Sequence, residues 1–272
     1  RDFSSDSRTV VQVALSDAAC ATISGVNTLN VLAGATCQTI TVLATVPPLT
    51  ALSASASVPV VTFTALELQV LPYPSFSGST QVALSSLSLL GCSSFYQRGQ
   101  LSVSARLSDA SAVSVTGQSS VTTSTTSLLS VVQASGQWQL NSLTAGTAAL
   151  TATFDGQSSS LSLPISDQAV QFTSITMSVS GVSASDYTFG ALAGSERVAT
   201  TRLDFADGTR YDDIAAISWV TLSSFVTFES DDDSAISAAA TTGLFTLNNN
   251  SATRTTLTAR SVCDSSLTSS VS

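Results

Sequence analysis

The stretch Leu101-Ser102-Val103-Ser104-Ala105-Arg106-Leu107-Ser108-Asp109-Ala110-Ser111 decides how the rest of the chain is read. Leu101, Val103, Ala105 and Leu107 recur at every second position, with Ser102, Ser104 and Arg106 between them. Successive side chains of a strand point to opposite faces, so a period of 2 predicts a strand with one apolar and one wet face. The same alternation runs through Leu150, Ala152 and Phe154, turns at Asp155-Gly156, and continues in Leu161 and Leu163. Further on, Leu257 and Ala259 take the places of Leu150 and Ala152. Asp207-Gly208 is another hairpin signal, because its residue types tolerate the positive φ that tight turns demand. No helical stripe is sustained anywhere in the chain.

The pattern is also periodic on a larger scale, which bears on architecture before anything else. Gly25-Val26-Asn27-Thr28-Leu29-Asn30, Gly136-Gln137-Trp138-Gln139-Leu140-Asn141 and Gly243-Leu244-Phe245-Thr246-Leu247-Asn248 share the form G-x-x-x-L-N, at spacings of 111 and 107 residues. Val61-Thr62-Phe63-Thr64-Ala65-Leu66-Glu67-Leu68 returns 109 residues later as Val170-Gln171-Phe172-Thr173-Ser174-Ile175-Thr176-Met177. The segment Arg106–Ser111 returns after 98 residues as Asp204-Phe205-Ala206-Asp207-Gly208-Thr209, followed by a longer middle. The expected organisation is the C-terminal part of one repeat over 1–55, a complete repeat over 56–166 and a third over 167–272. Pro47-Pro48, Pro59 and Pro164 mark the junctions, and short stiff junctions favour a semi-rigid rod. About seven short strands in each span of about 109 residues predict a two-sheet antiparallel sandwich.

Composition narrows the function. The 272 residues carry a net charge of −9; 43% are hydrophobic and only 10% charged. There are 52 Ser and 36 Thr, and neither Lys nor His. Without His there is no Ser-His-Asp triad or imidazole metal ligand, and without Lys no Schiff base or phosphate-loop lysine. Nine scattered Arg against eighteen acids argue against nucleic-acid binding, which needs a cationic patch. No apolar run reaches the roughly 18–20 residues of a membrane-spanning helix. The chain opens at Arg1 and its one Met is Met177, which reads as a mature or truncated piece of a longer precursor.

Within this frame the second copy resembles the bacterial immunoglobulin-like repeat, group 2. The resemblance rests on Ala105–Ser111, Val113-Ser114-Val115-Thr116, Gly136-Gln137-Trp138 and Leu143-Thr144-Ala145-Gly146-Thr147-Ala148-Ala149-Leu150-Thr151-Ala152-Thr153. The third copy keeps Asp207-Gly208-Thr209 but has Ala252-Thr253-Arg254 in place of Ala-Gly-Thr, and its length implies insertions. The resemblance implies an all-β fold of tandem immunoglobulin-like antiparallel β-sandwich repeats. Such repeats occur in bacterial surface adhesins, in a lumenal nuclear-pore glycoprotein and in the mastigoneme proteins of algal flagella. The Lys-free, Ala/Ser/Thr/Val-rich style is most similar to the last. That implies a non-catalytic extracellular glycoprotein on a cell or flagellar surface, self-associating into a polymer, with other ciliary or cell-surface proteins as further partners. An adhesin or carbohydrate-binding stalk, or a lumenal nuclear-pore scaffold, is the alternative.

Individual residues add candidate sites. Cys20 and Cys37 flank the first G-x-x-x-L-N strand, and a bridge between them would close a 17-residue separation, contributing about 3 kcal/mol in the chain-entropy model. Cys92 and Cys263 occupy non-equivalent places and are expected to pair outside this sequence or with another chain. An even cysteine count without C-x-x-C spacing fits an oxidising compartment rather than a zinc site. Asn249-Asn250-Ser251 has the N-x-[ST] form and reads either as an N-glycan acceptor or as a chance tripeptide, and Ser124, Thr125 and Thr126 lie in a mucin-like run that reads either as an O-glycan patch or as a wet, low-charge strand surface. Asp231, Asp232 and Asp233 are a weak calcium candidate beside Glu229, but they lack the spaced D-x-D-x-D-G loop and read first as a solvated turn; no other cofactor is expected. Trp138 and Phe245 share one repeat position and read as a core anchor. Tyr73, Phe95 and Tyr96 belong either to an interface or to ordinary strand packing.

Overall fold

In the computed structural model the alternating segments are strands. It describes residues 10–13, 17–24, 28–32, 34–46, 49–181, 192–251 and 253–271. Pro47-Pro48, Gly25-Val26-Asn27 and Ala252 lie outside the described residues. The chain divides into two compact units: Arg1–Thr64 with Arg106–Ala112, and Ala65–Ala105 with Val113–Ser272.

The first unit holds β1 (Val10–Val13), β2 (Ala21–Ser24), β3 (Thr28–Val31), β4 (Thr39–Val46) and β5 (Leu49–Pro59). β1, β4 and β5 form one antiparallel sheet in that order, and β2 pairs with β3 in a second. Cys20, Ala21 and Ile40 are its buried core, with Leu29, Cys37, Val42 and Val60 packed against them.

The chain continues with β6 (Phe63–Tyr73), β7 (Leu87–Leu90), β8 (Arg98–Leu107), β9 (Ala112–Ser114), β10 (Ser120–Thr123), β11 (Leu129–Ala134), β12 (Gln137–Ser142), β13 (Gly146–Phe154) and β14 (Gln157–Val170), most of whose residues belong to the second unit. Its sheets run β11-β12-β8-β6 and β10-β13-β14-β7, with β7 parallel to β14. Named A, A′, B, C, D, E, F and G for β6, β7, β8, β10, β11, β12, β13 and β14, these are the D-E-B-A and C-F-G-A′ sheets of an immunoglobulin-type sandwich. The period-2 positions face inward: Leu101, Val103, Leu150 and Ala152 are fully buried.

β15 (Phe172–Val179), β16 (Glu196–Phe205), β17 (Arg210–Tyr211), β18 (Val226–Ser230), β19 (Ile236–Ala239), β20 (Leu244–Leu247), β21 (Leu257–Ser261) and β22 (Thr268–Val271) repeat the plan. The sheet β15-β16-β20-β19 is A-B-E-D, and β18-β21-β22 is C-F-G. The protein is all-β and built of tandem immunoglobulin-like antiparallel sandwiches.

The repeated motifs fall at the same places in this plan. Val61–Leu68 and Val170–Met177 enter the two A strands. Gly136 and Gly243 precede the E strands at φ values of 75° and 68°, a left-handed conformation that selects glycine. Leu140 and Leu247 then enter the core. The shared aromatic position diverges. Phe245 is fully buried, whereas Trp138 is half-buried, its Nε1 donating to the Thr116 carbonyl at 3.1 Å.

Candidate functional site

The second unit's most distinctive chemistry lies where its two sandwiches meet. The longer middle of the last copy, between β17 and β18, folds into two short 3-10 turns, Ile214–Ala216 and Leu222–Ser224. Asp213 caps the first by accepting the Ala215 N–H at 3.1 Å. Between the turns Trp219 stacks on Tyr73 at the end of β6, ring centroids 5.5 Å apart and planes 21° apart. The Arg98 guanidinium, at the start of β8, sits 4.2 Å from the Trp219 ring centroid. Burial draws the Arg98 pKa below its ordinary value, and contact with an aromatic ring face compensates for part of the lost hydration. Tyr73 is steadied from its own sandwich by Gln139 Nε2, which donates to the phenol oxygen at 2.9 Å.

A buried amide crosses the same joint. Gln97 is 1% exposed; its Oε1 accepts the Ser88 N–H at 3.0 Å, and its Nε2 donates to Asp207 Oδ2 at 2.7 Å and Thr209 Oγ1 at 3.1 Å. Both amide hydrogens and the carbonyl are therefore used, which makes burial of this side chain tolerable. Its partners belong to the Asp207-Gly208-Thr209 turn that the sequence marks as a hairpin. Behind that turn Asp204 receives Arg202 at 2.9 Å, Arg210 at 2.7 Å and Ser174 Oγ at 2.8 Å. Burial works against ionisation there, but the hydrogen bonds from Arg202, Ser174 and Arg210 outweigh it and hold the carboxyl below the usual range. Tyr211, nearly enclosed, has its phenol pushed well up by burial and by the nearby Asp207 charge.

The apolar core runs through the joint as well. Leu90, the last residue of β7, is fully buried within the core of the following sandwich, with Phe95 packed against that core. Phe95 lies 6.2 Å from Phe225, ring to ring. Gly91 donates its N–H to Val170 O at 2.8 Å, and a Cβ added there would collide with the Phe172 ring. Tyr73 and Phe95 thus serve the joint, while Tyr96 donates its hydroxyl to Asp167.

Next to these residues Cys92 and Cys263 form a disulfide across a sequence separation of 171, with Cα atoms 5.6 Å apart. This corrects the expectation that each pairs elsewhere. Their positions in the two copies are not equivalent, yet the parallel pairing of β7 with β14 carries Cys92 to the F–G end of the next sandwich, where Cys263 follows β21. Cys20 and Cys37 form the second disulfide, Cα atoms 6.1 Å apart, between residues preceding β2 and β4 on the two sheets of the first unit.

The remaining sequence candidates lie apart from the joint. Asp231 Oδ1 accepts the Thr256 N–H at 2.7 Å, and Asp232 Oδ1 accepts from Ser234 N, Ser234 Oγ and Ala235 N, so these carboxylates organise the turn before β19. The Asp233 carbonyl accepts from Asn248 Nδ2. Among the described residues no group of three or more His, Cys, Asp or Glu is placed to hold a metal ion. Asn249 is exposed, its Nδ2 donating to Ser234 O at 3.0 Å. Ser124 and Thr126 are exposed on the loop between β10 and β11, and Thr125 is half-buried between them. Glu229 on β18 pairs with Arg260 on β21 at 2.6 Å. Among the described residues no helix is long and apolar enough to cross a membrane.

The sequence marks Tyr73, Phe95 and the lengthened middle, but not Gln97, Arg98 or Trp219 as their partners. The unusual length of the third copy's middle was the one available signal.

No protein-family model matches the chain, and no curated protein does either. Among solved structures it is similar to domains 4–9 of the surface layer protein SbsC, with a TM-score of 0.38 and 12% identity over 97% of this chain. It spans 38% of that structure's length. A C-terminal fragment of intimin, in complex with the intimin-binding domain of its translocated receptor, matches with a TM-score of 0.23 and 14% identity over 77% of this chain and 62% of that one. Zebrafish RET cadherin-like domains 1 to 4 match with a TM-score of 0.25 and 10% identity, covering 97% of this chain and 64% of theirs. Superposition at these values is loose, and the fold assignment rests on the strand order above.

Proposed function

We propose that the chain is a structural, non-catalytic segment of an extracellular glycoprotein whose serial immunoglobulin-like sandwiches build a filament. The observation that carries this reading is the joint: its aromatic stack, buried amide, shared core and cystine all serve to hold one sandwich against the next. Two cystines, with no cysteine left free, support an oxidising, extracellular setting. Under this reading residues 1–55, 56–166 and 167–272 are successive copies of one module, and Asn249, Ser124, Thr125 and Thr126 carry glycans. Within this class the Lys-free, Ala/Ser/Thr/Val-rich composition is most similar to that of a ciliary mastigoneme subunit. Electron microscopy of the purified chain tests the proposal. Regular filaments are the expected result; monodisperse particles at every concentration would favour a stalk that presents some other domain.

A further inference from the structure

The Cys92–Cys263 bridge does more than strengthen the joint, because it changes the path that tension takes through the chain. β8 through β21 all lie between the two cysteines in sequence; among the described residues of the second unit only the strands β6, β7 and β22 lie outside them. Pulled from its ends, the chain therefore delivers force to Cys92 from one side and to Cys263 from the other. The covalent path between them spans a Cα distance of 5.6 Å instead of a 171-residue separation. Fully extended, that separation corresponds to about 600 Å of chain.

The two cystines differ in how an external thiol reaches them. Cys92 is exposed and Cys263 half-buried, whereas Cys20 is 3% exposed in the first unit's core and Cys37 is half-buried against it, so only the first of the two cystines offers an exposed sulfur-bearing residue. Thiol–disulfide exchange needs access to the attacked sulfur and a leaving thiolate that is stabilised. The Cys92 N–H donates to Cys263 Sγ at 3.1 Å, so a donor already faces the sulfur that would depart when Cys92 Sγ is attacked.

We propose that Cys92–Cys263 is a reducible mechanical lock that conceals chain length, while Cys20–Cys37 is a fixed structural bridge. An external dithiol opens the lock in two steps. One thiolate bonds to Cys92 Sγ as the Cys92–Cys263 bond breaks, and Cys263 leaves as a thiolate that then takes a proton. The second thiol, deprotonated, attacks its own partner sulfur in the mixed disulfide and releases Cys92, which is protonated in turn. The dithiol ends as a cyclic disulfide, having given two electrons and two protons to the cystine. The opened joint keeps its aromatic stack and buried amide, and under load the residues between the cysteines become extensible.

This inference rests on the filament reading above, yet its test does not score assembly, so failure of either is recognised separately. The full chain, held by handles at its termini, is stretched in the oxidised state, with dithiothreitol, and as the Cys92→Ser/Cys263→Ser variant. The final contour length should be about 600 Å shorter for the oxidised chain than for the variant. Equal lengths would overturn the lock. Wild-type chain treated with limiting dithiothreitol and then alkylated provides a readout that does not depend on the variant folding. Mass spectrometry should find Cys92 and Cys263 labelled before Cys20 and Cys37. Simultaneous labelling, or the reverse order, would overturn the selective opening.

Discussion

Ala110 adopts φ 67° in the turn after β8, the position that Gly208 takes at φ 84° after β16. Around both residues the hydrogen bonds are the same. Asp109 Oδ1 accepts Ser111 N at 2.9 Å and Ser111 Oγ at 2.6 Å, and Asp207 Oδ1 accepts the corresponding groups of Thr209 at 3.0 and 2.7 Å. Hydrogen bonds from the Ser111 hydroxyl and backbone hold the Asp109 carboxyl below its usual range. The side-chain oxygen fixes the turn, and the residue that follows the aspartate must accept the left-handed conformation. Alanine does so against the clash of its Cβ with backbone, whereas glycine has no such clash. Ala110→Gly should therefore raise stability by about 0.5–1 kcal/mol, the gain being limited by glycine's greater freedom when unfolded. A urea titration reads this as a higher midpoint with an unchanged slope; a lower midpoint would contradict the account. The turn was legible in the sequence because its Asp-x-Ser/Thr hydrogen bonds are local, spanning two residues.

At the scale of elements, legibility fades with contact distance in the chain. Strand alternation reports burial directly, so β8 and β13 could be drawn from Leu101, Val103, Leu150 and Ala152 alone. The G-x-x-x-L-N motif marked the D–E corner because a left-handed glycine and an inward leucine are both local requirements. The joint was not legible, since its partners are separated by 110 residues at Gln97–Asp207 and by 171 at the cystine, and no periodicity encodes such pairs. What the sequence does show is an extra length between β17 and β18, and this element now has a role. Trp219 delivers an aromatic face to Tyr73 and Arg98, while its Nε1 is buried without a hydrogen-bond partner. An unpaired buried N–H contributes nothing favourable and is better removed than kept. Trp219→Phe should accordingly cost less than about 1 kcal/mol, because the stack survives and the orphan donor is gone. Trp219→Ala removes stack and cation contact together and should cost on the order of 2 kcal/mol or more. Paired denaturation curves would check this; equal losses in the two variants would mean that a phenyl ring cannot keep the stack and that the indole itself is required.

For the whole molecule, the decisive point is that the second unit's cores do not stop at the sandwich boundary. Leu90 belongs by sequence to the sandwich of β6–β14, yet is fully buried among Phe172, Phe225 and their neighbours in the next. Unfolding either sandwich would strip that shared surface and expose Gln97 and Trp219, so neither is expected to melt while the other stands. The cystine reinforces this coupling by closing a long loop, worth about 5 kcal/mol in the chain-entropy model. The second unit, Ala65–Ala105 with Val113–Ser272, should therefore unfold in one transition of about 140 kcal/mol near 60 °C, at about 0.7 kcal/mol per residue. The first unit, with three buried core residues among those described and its own short-loop disulfide, should give a separate and smaller transition. Scanning calorimetry of the oxidised chain distinguishes the possibilities. For the larger transition, a van't Hoff enthalpy equal to the calorimetric one means that both sandwiches unfold as a single cooperative body. A van't Hoff value near half would mean that each sandwich melts alone, and the joint would then be a contact between independent domains rather than the element that unites them.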